Sequence, residues 1–163
     1  MAENIKEMQQ LSIQVDDGLR RVPIINSYGE EIGVFSFRPT DFGIIQRYNK
    51  LVGELDSIVE PLENINIAAD GTADEDNDDA AAEALTEAEN RLFKACDEMF
   101  GGNMSEAFFG KMHPFSPVGG EFYCEQALRS VGSFISEQFE AETKKVNARV
   151  IKYTGKYKRR GRK

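Results

Sequence analysis

The side chains that could support catalysis are few and lie far apart in the sequence. His113 is the only histidine, and it lies in the loop 113–117 without a nucleophile motif beside it. A Ser-His-Asp or Cys-His arrangement would have to use this residue. The chain contains no Gly-rich phosphate loop, no dinucleotide fingerprint and no Cys/His cluster at zinc spacing. We therefore predict a protein without a catalytic centre and without a cofactor.

An acidic run offers a candidate for metal binding. Asp74, Asp76 and Asp78 alternate as the first ligands of an EF-hand loop do. The sixth position of such a loop should be Gly but is Asp79, and the twelfth should be Glu but is Leu85. The calcium interpretation fails on both requirements. We predict instead that residues 68–79, which include no large apolar side chain, form a disordered acidic loop.

The two cysteines and the hydropathy pattern bear on the cellular compartment. Cys96 and Cys124 lie in apolar-periodic segments, which predicts buried free thiols rather than a disulfide. No apolar run approaches the roughly 18 residues of a membrane span. Residues 1–4 show neither the basic nor the apolar region of a signal peptide. These features predict a cytosolic protein with no membrane contact.

Charge is distributed unevenly along the chain. Residues 143–163 hold ten of the 20 Lys and Arg and no acid, which leaves 28 acids against ten bases, or −18, for residues 1–142. The acidic body would repel nucleic acid, so we do not expect nucleic acid as a partner. A basic tail by itself can contact nucleic acid, an acidic protein surface or the acidic body of its own chain. We predict a flexible basic tail at 153–163 whose electrostatic contacts come from Lys156, Lys158, Arg159, Arg160, Arg162 and Lys163.

The N-terminal part of the chain carries a β pattern. Two β-branched or aromatic runs between residues 19 and 37 surround a turn cluster at 26–30 that contains Gly29. Residues 12–15 alternate polar with apolar side chains, and Asp16, Asp17 and Gly18 supply a turn after them. The sequence therefore predicts either a β-hairpin or a three-stranded meander within about 11–37.

Three long stretches of helical periodicity follow. The first covers about 41–64, with Pro61 near its end, and the second covers about 80–100 and is closed by Gly101 and Gly102. A short amphipathic piece lies at 105–111, and the last helix begins near 118–121 and ends at about Lys152. The predicted fold class is mainly α with a small N-terminal β element, an α+β protein. We expect one mostly helical domain over 1–152, followed by the tail.

Five phenylalanines are candidates for partner binding. Three of them lie in a short segment between Gly- or Pro-rich breaks, and two belong to the last predicted helix. They are Phe108, Phe109, Phe115, Phe122 and Phe139. Because Phe is among the most frequently buried residue types, these side chains are equally well interpreted as ordinary core residues. The sequence leaves both interpretations open.

Five short motifs carry a resemblance to a known family: GEEIGVFSFRPTD at 29–41, RYNKL at 47–51, CDEMFG at 96–101, AFFG at 107–110 and VIKYTGKY at 150–157. In this order they resemble the small tail assembly chaperones of siphophages that infect Gram-positive bacteria. The resemblance covers most of the chain in layout, and the 68–79 loop would be a variable insertion.

The resemblance implies a non-enzymatic assembly factor that acts in the host cytoplasm and is absent from the mature virion. Its expected partners are the tape measure protein and the major tail protein that forms the tube. Self-association and a longer, frameshifted form are left open. The alternatives are a small phage nucleic-acid accessory protein that uses its basic tail, and a structural head–tail component.

Overall fold

Two β-hairpins and four helices make up the part of the chain that the structure describes. The structure is a computed structural model, and it describes residues 11–63 and 78–160. The elements follow in the order β1 (Arg20–Ile25), β2 (Glu31–Phe37), α1 (Phe42–Glu63), α2 (Asp78–Phe100), α3 (Met104–Phe109), β3 (Pro117–Val118), β4 (Glu121–Phe122) and α4 (Tyr123–Arg160). The predicted α+β class, mainly helical with an N-terminal hairpin, is confirmed.

The side chain of Asn26 stabilises the turn of the first hairpin. Oδ1 of Asn26 accepts hydrogen bonds from the backbone N–H groups of Tyr28 (2.9 Å) and Glu30 (3.0 Å). Gly29 has a φ of 78°, a conformation that costs glycine little because it has no Cβ. β1 and β2 therefore pair antiparallel, with a register shift next to the turn.

The structure contains the hairpin and not the three-stranded meander. Within the described residues, the sheet of β1 and β2 has two strands, and 12–15 form none. Side-chain oxygens of Asp16 and Asp17 accept the backbone N–H groups of Gly18 (2.9 Å) and Leu19 (3.1 Å), and they fix a turn that does not fold the preceding segment onto β1. The apolar side chains of that segment are exposed: Leu11, Ile13 and Val15.

The first helix begins and ends close to its predicted limits. Oδ1 of Asp41 accepts the backbone N–H of Gly43 (3.0 Å), which satisfies a donor that the first turn of α1 leaves unpaired. Pro61 lies in the last turn, two residues before the end at Glu63. The side chains that repeat every three or four residues face the core: Ile44, Leu51, Ile58 and Leu62 are buried, and Tyr48 and Leu55 are half-buried.

The chain changes direction sharply between the second and third helices. α2 ends at Phe100, and Gly101 follows with a φ of 59°, as the predicted C-terminal glycine signal requires. The predicted amphipathic piece is α3, which begins after Asn103. Most of the predicted acidic loop at 68–79 lies outside the described residues, and Asp78 and Asp79 begin α2.

The last helix starts later and ends later than expected. Residues 117–122 form the small hairpin of β3 and β4 around Gly119 and Gly120, whose φ angles are 63° and 84°, so α4 cannot begin before Tyr123. It continues to Arg160, past the predicted end at about Lys152. The backbone of 153–160 is therefore helical, and no proline interrupts it. The flexibility of 153–163 stays a prediction.

The core gathers apolar side chains from β2 and from all four helices. Its largest contributors include Phe35, Phe37, Ile44, Leu51, Leu92, Phe100, Met104, Leu128 and Val131. α1 and α4 meet where the hydroxyl of Tyr48 donates to the carbonyl of Leu128 (2.8 Å). A Cβ at Gly132 would lie only 2.5 Å from that hydroxyl oxygen, so the glycine lets the tyrosine pass against α4.

Candidate binding groove

A groove of about 440 Å³ lies between the first hairpin and α4. Residues 22–27 of β1 and its turn form one wall, and the floor includes Phe35, Phe37 and Phe108. The opposite wall is one face of α4, made by Tyr123, Gln126, Ala127, Ser130, Val131 and Phe134. Ile32, Met112 and Val118 complete the lining. The volume is within the range of sites that hold small ligands or inserted side chains.

The wall formed by β1 is an open strand edge. Successive side chains of a strand point to opposite faces, so a cavity lined by the four consecutive β1 residues 22–25 follows the edge of the strand. Among the described residues, no ladder joins this edge of β1 to another strand. Backbone donors and acceptors of β1 are therefore available along the groove.

The opposite edge of the same hairpin is closed. Asn103 occupies the place of a neighbouring strand: its Oδ1 accepts the backbone N–H of Ser36 (3.0 Å), and its Nδ2 donates to the carbonyl of Val34 (2.9 Å). A Cβ at Gly33 would lie 2.2 Å from the carbonyl oxygen of Ala107, so the backbone of α3 packs directly on β2. In the described part of the chain, the β1 edge of the hairpin is thus the one open to a further strand.

The lining of the groove, as far as the structure describes the chain, contains no charged side chain. Its polar side chains are neutral, namely Asn26, Ser27, Gln126, Ser130 and Tyr123. Burial raises the pKa of Tyr123, so its hydroxyl stays protonated at physiological pH. The remaining lining is aliphatic or aromatic. A surface of this composition binds apolar side chains and offers a few hydrogen bonds that orient them.

The structure divides the five candidate phenylalanines into two groups. Phe108, Phe109 and Phe115 are only 7%, 7% and 5% exposed, so they are core residues, the second of the two interpretations given for them. Phe122 and Phe139 are half-buried. Phe108 alone among the five also lines the groove.

Ring contacts explain why this segment is buried. Phe109 stacks on Phe93 with a centroid distance of 5.7 Å, and Phe108 meets Phe35 edge to face at 5.5 Å. Aromatic pairs in these geometries add to the free energy of burial. Phe139 contacts the exposed Phe42 at 5.6 Å, away from the groove.

The residues considered for catalysis have structural partners. His113 accepts the backbone N–H of Phe115 at Nδ1 (3.2 Å), and its Nε2 lies 3.0 Å from a carboxylate oxygen of Glu89. Cys96 and Cys124 are buried free thiols, as predicted, and burial raises the pKa of each to about 12. Within the described residues, His, Cys, Asp and Glu form no group of three that could hold a metal ion.

The predicted electrostatic tail falls largely beyond what the structure describes. Lys156, Lys158, Arg159 and Arg160 belong to the backbone of α4, and Arg162 and Lys163 lie outside the described residues. Before them, residues 143–150 of α4 are all exposed, so the helix leaves the body near Thr143. Among the described helices, none combines the length and apolar character needed to cross a bilayer.

The groove itself was not predicted from the sequence. The wall formed by α4 could be recognised in the sequence, because apolar and small residues recur at helical spacing on one face from Tyr123 to Phe134. Its β1 wall depends on a strand edge that stays unpaired, and that is a property of the assembled fold.

Comparisons of the chain with protein-family models, with curated proteins and with solved structures give no match.

Proposed function

We propose that the protein is a tail assembly chaperone that holds an apolar segment of the tape measure protein in the groove between β1 and α4. The supporting observation is a groove of about 440 Å³ whose described lining contains no charged side chain and whose floor is aromatic. The β1 edge along this groove pairs with no described strand. The sequence motifs that resemble the siphophage chaperones supply the identity of the partner. The major tail protein is a second proposed partner.

The charge of the chain fits this role. A long amphipathic helix exposes an apolar stripe and aggregates until another surface covers that stripe. An uncharged groove covers apolar side chains, while the charge of −18 on residues 1–142 keeps the complex in solution by repulsion between complexes. In this proposal the protein acts in the host cytoplasm and leaves before the virion is complete.

Co-expression tests the proposal. The tape measure protein encoded in the same tail gene cluster should form inclusion bodies when expressed alone. With the tagged chain present it should stay in the supernatant and co-purify. If it remains insoluble, or if it is soluble but does not co-purify, the proposed function is wrong.

Two further measurements separate the alternatives. A nucleic-acid accessory protein would bind DNA or RNA at physiological salt in a mobility-shift assay, whereas the acidic body should prevent this. A structural head–tail component would be found by mass spectrometry of purified particles, whereas a chaperone should be missing from them.

A further inference from the structure

The segment 11–15 has the pattern of a strand, yet no described part of the chain covers its apolar side chains. Leu11, Ile13 and Val15 alternate with Ser12 and Gln14, so an extended chain places the three apolar side chains on one face. They are 99%, 96% and 78% exposed. An uncharged segment with this alternating pattern can pair with an open sheet edge.

The turn after this segment prevents it from reaching its own β1. Asp16 and Asp17 accept hydrogen bonds from the backbone N–H groups of Gly18 and Leu19, and Asp17 also forms an ion pair with Arg38, the residue that follows β2. Gly18, with a φ of 81°, lies next to Thr40, where a Cβ would be 3.5 Å from Oγ1. Pairing within one chain would require a different turn and the loss of these bonds. Pairing with another copy leaves the turn unchanged.

We propose that the 11–15 segment of one copy adds as a third strand to the open edge of β1 in a second copy and fills its groove. The two strands match in length, with five residues against six. In the antiparallel register that places Ile13 beside Val22, Leu11 lies beside Ile24, and Val15 lies beside Arg20, which keeps its ion pair with Asp16. Val22 and Ile24 are the half-buried residues of β1 that pack against the core, so the added side chains enter over the aromatic floor.

The groove and the segment have matching chemistry. Neither the described lining nor the segment contains a charged side chain, so the pairing leaves no charge buried without a partner. Reciprocal exchange of the two segments gives a closed dimer with twofold symmetry. Pro23 removes one backbone donor from the edge, which keeps the exchange weak enough to be reversible. The tape measure segment would then displace the 11–15 segment, although the exchange itself does not depend on that function.

Cross-linking between two variants, each with one introduced cysteine, tests the exchange directly. Ile13→Cys in a tagged chain and Ser130→Cys in an untagged chain are mixed and oxidised, because Ser130 lines the α4 wall. The native Cys96 and Cys124 are buried thiols whose pKa is about 12, so they stay out of the reaction. Tyr28→Cys, which replaces an exposed residue at the hairpin turn, serves in place of Ile13→Cys as the matched control.

The expected product is a disulfide between the tagged and untagged chains, absent with Tyr28→Cys. The double variant Ile13→Cys, Ser130→Cys tests whether the 11–15 segment of the same chain occupies the groove instead. If it forms only an intramolecular disulfide, the segment covers its own groove and the proposal is overturned. If the two introduced thiols form no disulfide with each other in either experiment, the proposal is overturned as well.

Sedimentation equilibrium of the protein alone gives the second readout. The wild-type chain should show a concentration-dependent dimer, and Ile13→Ser should weaken dimerisation by about tenfold or more, since a large apolar side chain loses its burial. Val52→Ser, at a partly exposed site on α1 away from the groove, should leave dimerisation unchanged. A wild-type chain that stays monomeric at every concentration contradicts the exchange, whatever the tape measure protein does.

Discussion

The two outer edges of the first hairpin differ in whether other described parts of the chain bond to them. β2 buries Phe35 and Phe37 in the core, and the side chain of Asn103 bonds to the backbone along its outer edge. β1 has its half-buried apolar side chains on one face, and its outer edge pairs with no described strand. β2 therefore supplies core side chains whose rings also form the floor of the groove, whereas β1 supplies the unpaired edge of that groove. Substitutions on β2 should act mainly on stability, and substitutions on β1 should act mainly on the proposed binding.

The difference follows from side-chain types that lie at fixed places in the sequence. β2 carries two aromatic side chains that stack at 4.1 Å and a glycine that lets α3 approach. β1 carries aliphatic side chains and Pro23, which is typical of an edge strand. Substitutions in the two strands should therefore have different consequences, and these are ordered here by expected size.

The largest effect should come from Phe37→Ala on β2. Phe37 is buried and contacts Phe35 and Phe100, so its removal leaves a cavity that the aromatic cluster cannot fill. We expect the free energy of unfolding to fall by about 3–5 kcal/mol, measured by urea denaturation. A loss below about 1 kcal/mol would mean that β2 is not part of the stable core.

A smaller loss should follow from Asn103→Ala. The substitution leaves the N–H of Ser36 and the carbonyl of Val34 without their partner, at a cost of about 1–2 kcal/mol. Asn90→Ala, at an exposed position of α2, is the matched control and should change stability little. Equal effects of the two substitutions would show that the outer edge of β2 does not depend on Asn103.

On β1, Ile24→Ser should reduce binding more than stability. Ile24 is half-buried and lines the groove, so we expect the free energy of unfolding to change by about 1 kcal/mol or less. The amount of tape measure protein kept in solution should fall clearly in co-expression. If Ile24→Ser unfolds the protein as Phe37→Ala does, the two strands are equivalent and the comparison fails.

The smallest effect should come from Pro23→Val. This substitution restores a backbone donor on the open edge of β1, and one added hydrogen bond is worth about 0.5–1.5 kcal/mol. Dimerisation should tighten up to about tenfold in sedimentation equilibrium, while thermal stability changes little. If stability rises and dimerisation does not change, the nitrogen of residue 23 faces β2 rather than the groove.

Periodicity predicted most of the secondary structure. The limits of α1 and α2 and the first hairpin depend on local signals, such as the alternation of apolar residues, Asp41 before the first helix, and Gly101 after the second. The small hairpin at 117–122 also has a local signal, the pair Gly119 and Gly120. This hairpin was missed because the start of the last helix was predicted at the same residues. The end of α4 was placed too early because a basic composition was equated with the end of the helix.

The site was harder to predict than the fold. The phenylalanines at 108 and 109 are conspicuous in sequence because they lie between breaks, but their contacts with Phe35 and Phe93 come from distant segments. Whether an apolar residue faces the core or a groove depends on which side its neighbours leave open. The alternation at 12–15 was recognised as a strand pattern, yet the sequence alone could not show that its own β1 leaves it unpaired.

The central claim is that the groove between β1 and α4 binds the partner. The most direct test is a substitution that fills this groove and leaves the rest of α4 unchanged. Ser130→Trp places an indole in the groove, and Ser133→Trp places the same side chain on another exposed face of the same helix, outside the groove. Both variants should keep the circular dichroism spectrum and melting temperature of the wild type. We expect Ser130→Trp to lose the ability to keep co-expressed tape measure protein in solution, and Ser133→Trp to retain it. Equal solubilisation by the two variants would contradict the assignment of the groove as the binding site.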